Sequence, residues 1–305
     1  MTIELTILGN SSATPTLNRF PSAQFLNFLD HHFLIDCGEG TQVQLRRYKI
    51  KKSKISHIFI SHVHGDHILG LPGLIFSMNL NNRVDQLHIY GPQSLFDLLN
   101  LFIKSSDTHL RFNIIEHVTD HSKTTVIFED MLVKITSFPL YHRIPTTGFK
   151  FEEQARLRKL NIDVCERLHI PFTYYNDLKR GKDFVSNDGK TIIENHKLTV
   201  DAGEPMSYAY CSDTVFDERV IEQVRDVEVL YHESTFMHDK IQRAQETMHT
   251  TAKQAGIVAQ KAKVKKLLIG HFSSRYEDLT ELLREAQLEF ANTQIAEEGK
   301  TFKID

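Results

Sequence analysis

The sequence predicts an α/β fold. Short β-rich runs alternate with helical stretches along most of its 305 residues, turn residues punctuate the boundaries, and neither an internal repeat nor a low-complexity tract interrupts the rhythm. At 41% apolar and 25% charged, the chain has the make-up of an ordinary globular protein and enough apolar material for a full core.

Residues 3–8, 24–29 and 32–36 read as strands, and Gly38-Glu39-Gly40 ends the third. Residues 40–48 look helical. Residues 55–61 (ISHIFIS) read as a buried strand. Residues 68–80 read as a helix in spite of Gly70, Pro72 and Gly73. A strand at 86–90 precedes a helix at 92–103, and two β-rich runs follow at 110–117 and 124–138. The rhythm breaks at about 150–195, a polar stretch with turn signals at Gly181 and Asn187-Asp188-Gly189. Between Lys150 and Lys182, eight basic residues (Lys150, Arg156, Arg158, Lys159, Arg167, Lys179, Arg180, Lys182) outnumber five acids (Glu152, Glu153, Asp163, Glu166, Asp177), a balance of +3. This stretch reads as an excursion from the main domain. After it, strands at 206–212, 227–231 and 265–270 alternate with helices at about 251–262 and 278–290.

No run of about 18 apolar residues is present, so no membrane span is expected. The opening residues MTIELTILGN lack a basic leader and read as a strand, not a signal peptide. Cys37, Cys165 and Cys211 are an odd, scattered set, which fits a reducing compartment and makes the cytoplasm the expected location. The net charge of −3 argues mildly against a nucleic-acid binder, so any such contact must come from local patches. Arg46 to Lys54 (RRYKIKKSK), with six basic residues and no acid, is one candidate; a solvated helix end is the plain alternative.

The most informative segment is His62-Val63-His64-Gly65-Asp66-His67, directly after the strand at 55–61. His62 and His64 are two apart and share a side of an extended segment. Imidazole and carboxylate are natural ligands of zinc where a water stays bound, and four such side chains in six residues exceed one tetrahedral site that also keeps a water. Two adjacent metals are the economical reading; a histidine-rich surface loop or a single structural site is the alternative. Further ligands must then come from elsewhere. His142, Asp213 and His271 each follow a β-rich run, and sites in α/β sheets form beyond the carboxyl ends of strands. Taken singly, His142 could be a loop histidine and Asp213 a cap or turn residue. Cys211, two residues before Asp213 on an apolar strand, reads as core.

This constellation resembles the metallo-β-lactamase superfamily. The resemblance implies a four-layer αββα sandwich with two zinc ions at its edge. His62, His64 and His142 would hold one ion, Asp66, His67 and His271 the other, and Asp213 would bridge them. Fold alone does not give the reaction, but further segments point one way. Gly9-Asn10-Ser11-Ser12-Ala13-Thr14-Pro15 with Arg19, Asp36-Cys37-Gly38-Glu39-Gly40-Thr41-Gln42 with Gln44 and Arg46, and Tyr210-Cys211-Ser212-Asp213-Thr214 are similar to motifs of ribonuclease Z. So are His232-Glu233-Ser234-Thr235, His249-Thr250-Thr251-Ala252 and Gly270-His271-Phe272-Ser273-Ser274-Arg275-Tyr276. They span nearly the whole chain, in order. In that family an arm protrudes from the sandwich and grips transfer RNA. Leu178-Lys179-Arg180-Gly181-Lys182-Asp183 resembles its leucine-lysine-glycine segment, although Ile170-Pro171-Phe172-Thr173 stands where a Gly-Pro pair is usual.

The resemblance therefore implies one domain over 1–305 with an inserted arm at about 150–195 as a transfer-RNA exosite, and a homodimer. It implies a short-form ribonuclease Z that removes the 3′ trailer of precursor transfer RNA, leaving a 3′-hydroxyl and a trailer 5′-phosphate. Two cations would acidify a bridging water, and the resulting hydroxide would attack the scissile phosphate. Asp66 is the expected proton acceptor, His249 the candidate general acid and Glu233 its orienting partner, although His249 could be a helix-start residue and Glu233 a strand-end carboxylate without a role. Ser273, Arg275, Lys179, Arg180 and Lys182 are candidate RNA contacts. Asp36 reads as a turn residue rather than a catalyst. The rival readings are another two-zinc phosphodiesterase or ester hydrolase on this fold, and an RNA-binding protein without turnover.

Overall fold

Two seven-stranded sheets build the larger of two compact units in this computed structural model, which describes residues 3–154, 157–201 and 203–304. The first half of the chain runs β1 (Ile3–Gly9), β2 (Ala23–Phe28), β3 (His31–Ile35), α1 (Thr41–Arg47), β4 (His57–Phe59), α2 (Gly65–Ile68), α3 (Leu71–Leu80), β5 (Leu87–Gly91), α4 (Gln93–Ser105) and β6 (Ile114–Val118). Then come β7 (Thr125–Glu129), β8 (Val133–Leu140) and β9 (Thr146–Glu153). The smaller unit, Glu153–Pro205, contains β10 (Lys159–Leu160), α5 (Ile162–Arg167), α6 (Tyr175–Lys179), β11 (Phe184–Val185), β12 (Ile192–Ile193), α7 (Asn195–Leu198) and β13 (Thr199–Val200). The chain returns as β14 (Ser207–Cys211), α8 (Arg219–Gln223), β15 (Val229–Glu233), α9 (Ile241–Thr247), α10 (Ala252–Ala262), β16 (Lys266–Gly270), α11 (Thr280–Glu289), β17 (Thr293–Ile295) and β18 (Thr301–Ile304).

The sheets run β18-β1-β2-β3-β4-β5-β6 and β17-β16-β15-β14-β9-β8-β7. Between them lies an aromatic-rich core that includes Phe28, Phe33, Phe59, Phe149, Phe151, Tyr208, Tyr210 and Tyr231. On the outer face of the first sheet, α1, α3 and α4 contribute Leu45, Leu71, Leu74, Leu95 and Phe96 to a second core with Leu34, Ile58 and Ile89. On the outer face of the other, α8, α10 and α11 bury Val220, Ala255, Ala259, Leu282 and Ala286. The result is a four-layer αββα sandwich, the architecture that the sequence resemblance implies. No described helix is long and apolar enough to cross a membrane.

Several boundaries differ from the sequence reading for physical reasons. The run 124–138 is a hairpin, because the Asp130 carboxylate accepts from Leu132 N (2.8 Å) and Val133 N (2.9 Å) and turns the chain. β9 was hidden at the margin of the polar stretch, although Phe149 and Phe151, two apart, both face the core. The helix read at 68–80 starts later, at Leu71, as α3, because the short α2 ends at Ile68 and Leu69-Gly70 separates the two. The helix near 251 starts where expected, with Thr251 and Gln254 forming a capping box.

The smaller unit has its own core of Cys165, Ile170, Leu178, Phe184 and Leu198. Its inner frame hangs on Asn195, whose amide donates to the carbonyls of Leu178 (2.8 Å) and Lys182 (2.7 Å). Arg156, counted in the basic balance, lies outside the described residues.

Gly70 governs how closely α2 approaches the loop after β3. Gly70 N donates to Cys37 O (2.9 Å) and Cys37 N to His67 O (2.8 Å), and a Cβ on Gly70 would stand 2.1 Å from the Gly38 carbonyl oxygen. Gly70→Ala is expected to lower the unfolding free energy by about 1–3 kcal/mol, by forced displacement of packed backbone. An unchanged denaturant midpoint would show that the loop yields freely.

Candidate metal centre and active-site cleft

The site assembles where strands stop. In the first sheet β3, β4, β5 and β6 run parallel, as do β14, β15, β16 and β17 in the other. Side chains at or just past the carboxyl ends of β3, β4, β8, β14, β15 and β16 therefore converge at one edge of the sandwich. They are Asp36, the segment His62 to His67, His142, Asp213, Glu233 and His271.

All seven residues read as metal ligands meet there, in two groups on either side of Asp213. His62, His64, His142 and Asp213 form one group; Asp66, His67 and His271 form the other, and within each group the ligating atoms lie within 4.8 Å of one another. Asp213 Oδ2 is 3.6 Å from His62 Nε2 and 3.7 Å from His142 Nε2, whereas Oδ1 is 3.4 Å from His67 Nε2 and 3.1 Å from His271 Nε2. One carboxylate thus presents one oxygen to each group.

The hydrogen-bond network assigns the ring tautomers. His142 Nδ1 donates to the Met248 carbonyl (2.8 Å). His67 Nδ1 donates to Asp36 Oδ2 (2.7 Å). Ser61 Oγ donates to Asp36 Oδ2 (2.9 Å) and so accepts from His62 Nδ1 (3.0 Å). Thr235 Oγ1 donates to Glu233 Oε2 (2.7 Å) and accepts from His271 Nδ1 (2.9 Å). In His62, His142 and His271 Nε2 is left as the lone-pair nitrogen, turned inward, and in His67 Nε2 also turns inward. These nitrogens crowd: His62 Nε2 is 3.0 Å and His142 Nε2 3.3 Å from His64 Nδ1, and His67 Nε2 is 3.3 Å from His271 Nε2. Asp213 Oδ1, fully enclosed, has no hydrogen bond. Lone pairs facing one another beside an unpartnered carboxylate oxygen are satisfied by cations. Nitrogens bound at about 2.0–2.1 Å to a tetrahedral zinc would stand about 3.3 Å apart. The residues fit a metal ion.

The two groups differ electrostatically. Burial, aided by neighbouring histidines, pushes His62 well below its ordinary range, and burial likewise lowers His64 and His142, so these rings are neutral and ready to ligate. Burial opposes charge on His67 too, but Asp213, Asp66 and Asp36 outweigh it and raise the ring well above its usual value. A cation entering the second group therefore displaces a proton from His67.

Asp36 is the residue that sequence reasoning undervalued. It is a turn residue, with φ 53°, but its buried carboxylate accepts from Ser61 N (2.8 Å), Ser61 Oγ, Tyr210 OH (2.6 Å) and His67. The signal was its place at the end of a strand inside a glycine-punctuated motif. Glu233 is equally embedded. Oε1 accepts from His249 Nδ1 (2.9 Å), Thr214 N (3.1 Å) and Thr250 N (3.0 Å), and Oε2 from Thr235 N (3.0 Å) and Thr235 Oγ1. It touches His249 directly and His271 through Thr235.

His64, Asp66, Asp213 and His249 line a cleft of about 280 Å³ with Ser12, Ala13, Glu39 and Arg143. Ala13 N donates to Asp66 Oδ2 (2.7 Å), which ties the amino-terminal motif to the site. Ser273 and Arg275 are not among the residues lining this cleft. Arg275 Nε donates to Ser273 Oγ (3.0 Å) and its guanidinium lies 4.9 Å over the Phe236 ring. Lys179, Arg180 and Lys182 lie in the smaller unit, where Lys182 pairs with Asp177 (3.0 Å).

Among solved structures, the short form of human tRNase Z matches with a TM-score of 0.73 at 25% identity, covering 99% of both chains. The metallo-β-lactamase fold protein YhfI from Bacillus subtilis matches with a TM-score of 0.70 at 17% identity over 99% of both, a likeness of fold alone. A family model described as Anti-Pycsar protein Apyc1 matches residues 3–101. Sandwich and clustered ligand-type residues together define a protein of the metallo-β-lactamase fold. The chain is 45% identical over 296 residues to Ribonuclease Z of Bacteroides fragilis (strain YCH46), covering 97% of each, and 43% identical over 302 residues to Ribonuclease Z of Bacteroides thetaiotaomicron, covering 99% of this chain and 95% of that one. It belongs to the ribonuclease Z family and is an endoribonuclease.

Because Asp36 fixes the tautomer of His67, Asp36→Asn is expected to weaken metal binding about 10- to 100-fold. Competition against a chromophoric chelator measures this. Wild-type affinity in a folded variant would leave Asp36 with a packing role only.

Proposed function

We propose that this endoribonuclease is zinc-dependent and removes the 3′ trailer of precursor transfer RNA, leaving a 3′-hydroxyl on the transfer RNA and a 5′-phosphate on the trailer. The observation that carries the reading is the full-length match to Ribonuclease Z relatives, 45% identical over 97% of the chain, with every residue of the convergent cluster drawn from the matching region. His62, His64 and His142 would hold one zinc, Asp66, His67 and His271 the second, and Asp213 both. Zinc bound there supplies an acidified water as nucleophile and neutralises charge on the scissile phosphate.

The protein's own groups divide the proton work. Asp66 lines the cleft, and although burial opposes its charge, His67 and His271 outweigh that and hold the carboxyl ionised, so it can take the proton of the attacking water. His249 also lines the cleft, with Nδ1 committed to Glu233 and its other nitrogen left for a substrate proton. Burial disfavours its charge, but Glu233 and Asp213 outweigh this and lift the ring to about 9. At neutral pH the ring holds a proton to deliver to the departing 3′ oxygen. Glu233 acts through His249 as its positioning residue. Lys179, Arg180 and Lys182 are the transfer-RNA contacts of the arm at about 150–195, and Ser273 with Arg275 contacts RNA outside the cleft. We read the working protein as a cytoplasmic homodimer.

The decisive assay incubates 5′-labelled precursor transfer RNA carrying a trailer with the protein, with and without chelator. Cleavage just after the discriminator base that vanishes with chelator and returns with zinc is expected; bound zinc without any cut would remove the reading. His249→Ala should reduce kcat about 10²- to 10⁴-fold. In Glu233→Gln the ring loses the carboxylate that raises its pKa, so the alkaline fall in rate should move to lower pH. An unmoved limb would exclude His249 as the acid. Combined substitution of Lys179, Arg180 and Lys182 by alanine should raise KM for precursor while sparing hydrolysis of bis(p-nitrophenyl) phosphate; equal KM values would remove the arm assignment.

A further inference from the structure

We infer that Arg143 grips the phosphate next to the scissile one and so sets which linkage of a single-stranded trailer enters the site; this rests on the proposed cleavage of precursor transfer RNA. Arg143 follows His142 in the turn between β8 and β9, and it lines the same cleft as His64, Asp66, Asp213 and His249. It is the sole Lys or Arg in that lining. Its side chain is exposed, and no hydrogen bond or ion pair occupies its guanidinium among the described residues.

None of the other arginines near the site lines this cleft. Arg19 Nη2 donates to the carbonyls of Tyr276 (2.7 Å) and Ser273 (3.3 Å). Arg219 pairs with Asp217 (2.6 Å) and covers the Tyr141 ring at 3.7 Å. Arg275 is exposed, with Nε donated to Ser273 Oγ (3.0 Å) and its guanidinium over the Phe236 ring, but it stands outside the cleft lining. A free guanidinium on a cleft wall offers five donors in a fork that matches phosphate oxygens.

The position selects the neighbouring phosphate rather than the scissile one. The scissile group belongs at the buried cluster, where His62, His64 and His142 and the opposite triad of Asp66, His67 and His271 aim their ligating atoms. Arg143 stands outside that ring of ligands: His142 turns Nε2 into the cluster and is fixed behind by Met248, leaving the next residue at the rim. The cleft's one exposed carboxylate, Glu39, disfavours a phosphate beside it. A backbone that places one phosphate at the cluster therefore finds its favourable second anchor at Arg143. The 280 Å³ cleft admits a phosphodiester with part of a nucleoside and excludes a duplex, so the contacted strand is single.

The test compares wild type, Arg143→Ala and Arg143→Lys on precursor transfer RNA and on bis(p-nitrophenyl) phosphate, which has no second phosphate. Metal content is measured for each. For Arg143→Ala, kcat/KM on precursor should fall about 10- to 100-fold, the worth of one charge-assisted contact, with a loss on the small ester at least tenfold smaller. Arg143→Lys should recover part of it. The slope of log kcat/KM against log salt should lessen by about 0.7, one single-strand phosphate contact. Single methylphosphonates placed at linkages flanking the cut should identify one linkage whose neutralisation slows wild type and leaves Arg143→Ala unaffected. Equal losses on both substrates, or no such linkage, would overturn the inference. Wild type that hydrolyses the small ester but leaves precursor intact would instead overturn the transfer-RNA reading, and this inference with it.

Discussion

The structure is organised around the cost of burying acids. Asp36, Asp213 and Glu233 are almost wholly enclosed, and Asp66 lies beside them. Ionised carboxylates away from water persist only with donors or cations around them. Asp36 and Glu233 meet the condition with backbone amides, hydroxyls and one histidine each. Because Tyr210 comes from one sheet and Ser61 follows a strand of the other, satisfying Asp36 also fixes the two sheets at the edge where chemistry takes place. Asp213 is solved differently. One of its oxygens takes no hydrogen bond and faces ring nitrogens, so its compensation must be a positive charge.

The backbone records the same demand. Ala13, Asp36, Met248 and His271 have φ of 62°, 53°, 56° and 58°, in the left-handed region that side chains with a Cβ enter at a cost of about 1–3 kcal/mol each. Each contributes a contact to the cluster: Ala13 N to Asp66, the Asp36 carboxylate to His67, the Met248 carbonyl to His142, and His271 itself. Elsewhere the left-handed conformation has a local cause: Lys263 ends α10, as Met248 also ends α9, and Leu29 with Asp30 makes the β2–β3 hairpin turn. At the cluster no helix end explains Ala13, Asp36 or His271. Hydrogen bonds such as Phe272 N to Asn10 O (2.8 Å) and Ser12 N to Phe272 O (3.0 Å) hold the strained loops in register instead.

Much of this was legible in the sequence, and the rest was not for identifiable reasons. Ligand-type residues at strand ends are visible because the strands before them are short, apolar and uninterrupted, as in ISHIFIS before His62. The seven residues so singled out do converge. The division of labour behind them was not visible. Asp36 carries the turn signature of any strand-terminal aspartate, and its four donors come from residues 25 to 174 positions away. Strands β17 and β18 escaped because three- and four-residue strands gain their order from neighbours, β16 and β1, rather than from their own pattern. Ser273 and Arg275 share a motif with His271, yet a turn of chain carries them out of the cleft, whereas Arg143, in no quoted motif, lines it. Proximity in sequence to a ligand does not fix the direction of the next side chain.

A chain with net charge −3 that handles RNA must separate its charges in space. The acids of the cluster lie buried or nearly so, compensated by donors or facing histidine nitrogens, so they contribute little repulsion at the surface. The smaller unit carries its basic residues on a fold with its own core of Cys165, Ile170, Leu178, Phe184 and Leu198. Among the described residues, none of the clustered ligand-type side chains comes from it. The cleft itself holds the exception, Arg143, a lone exposed cation where the strand must pass. Grip and chemistry meet at that side chain, and register along the strand can only be set where they meet.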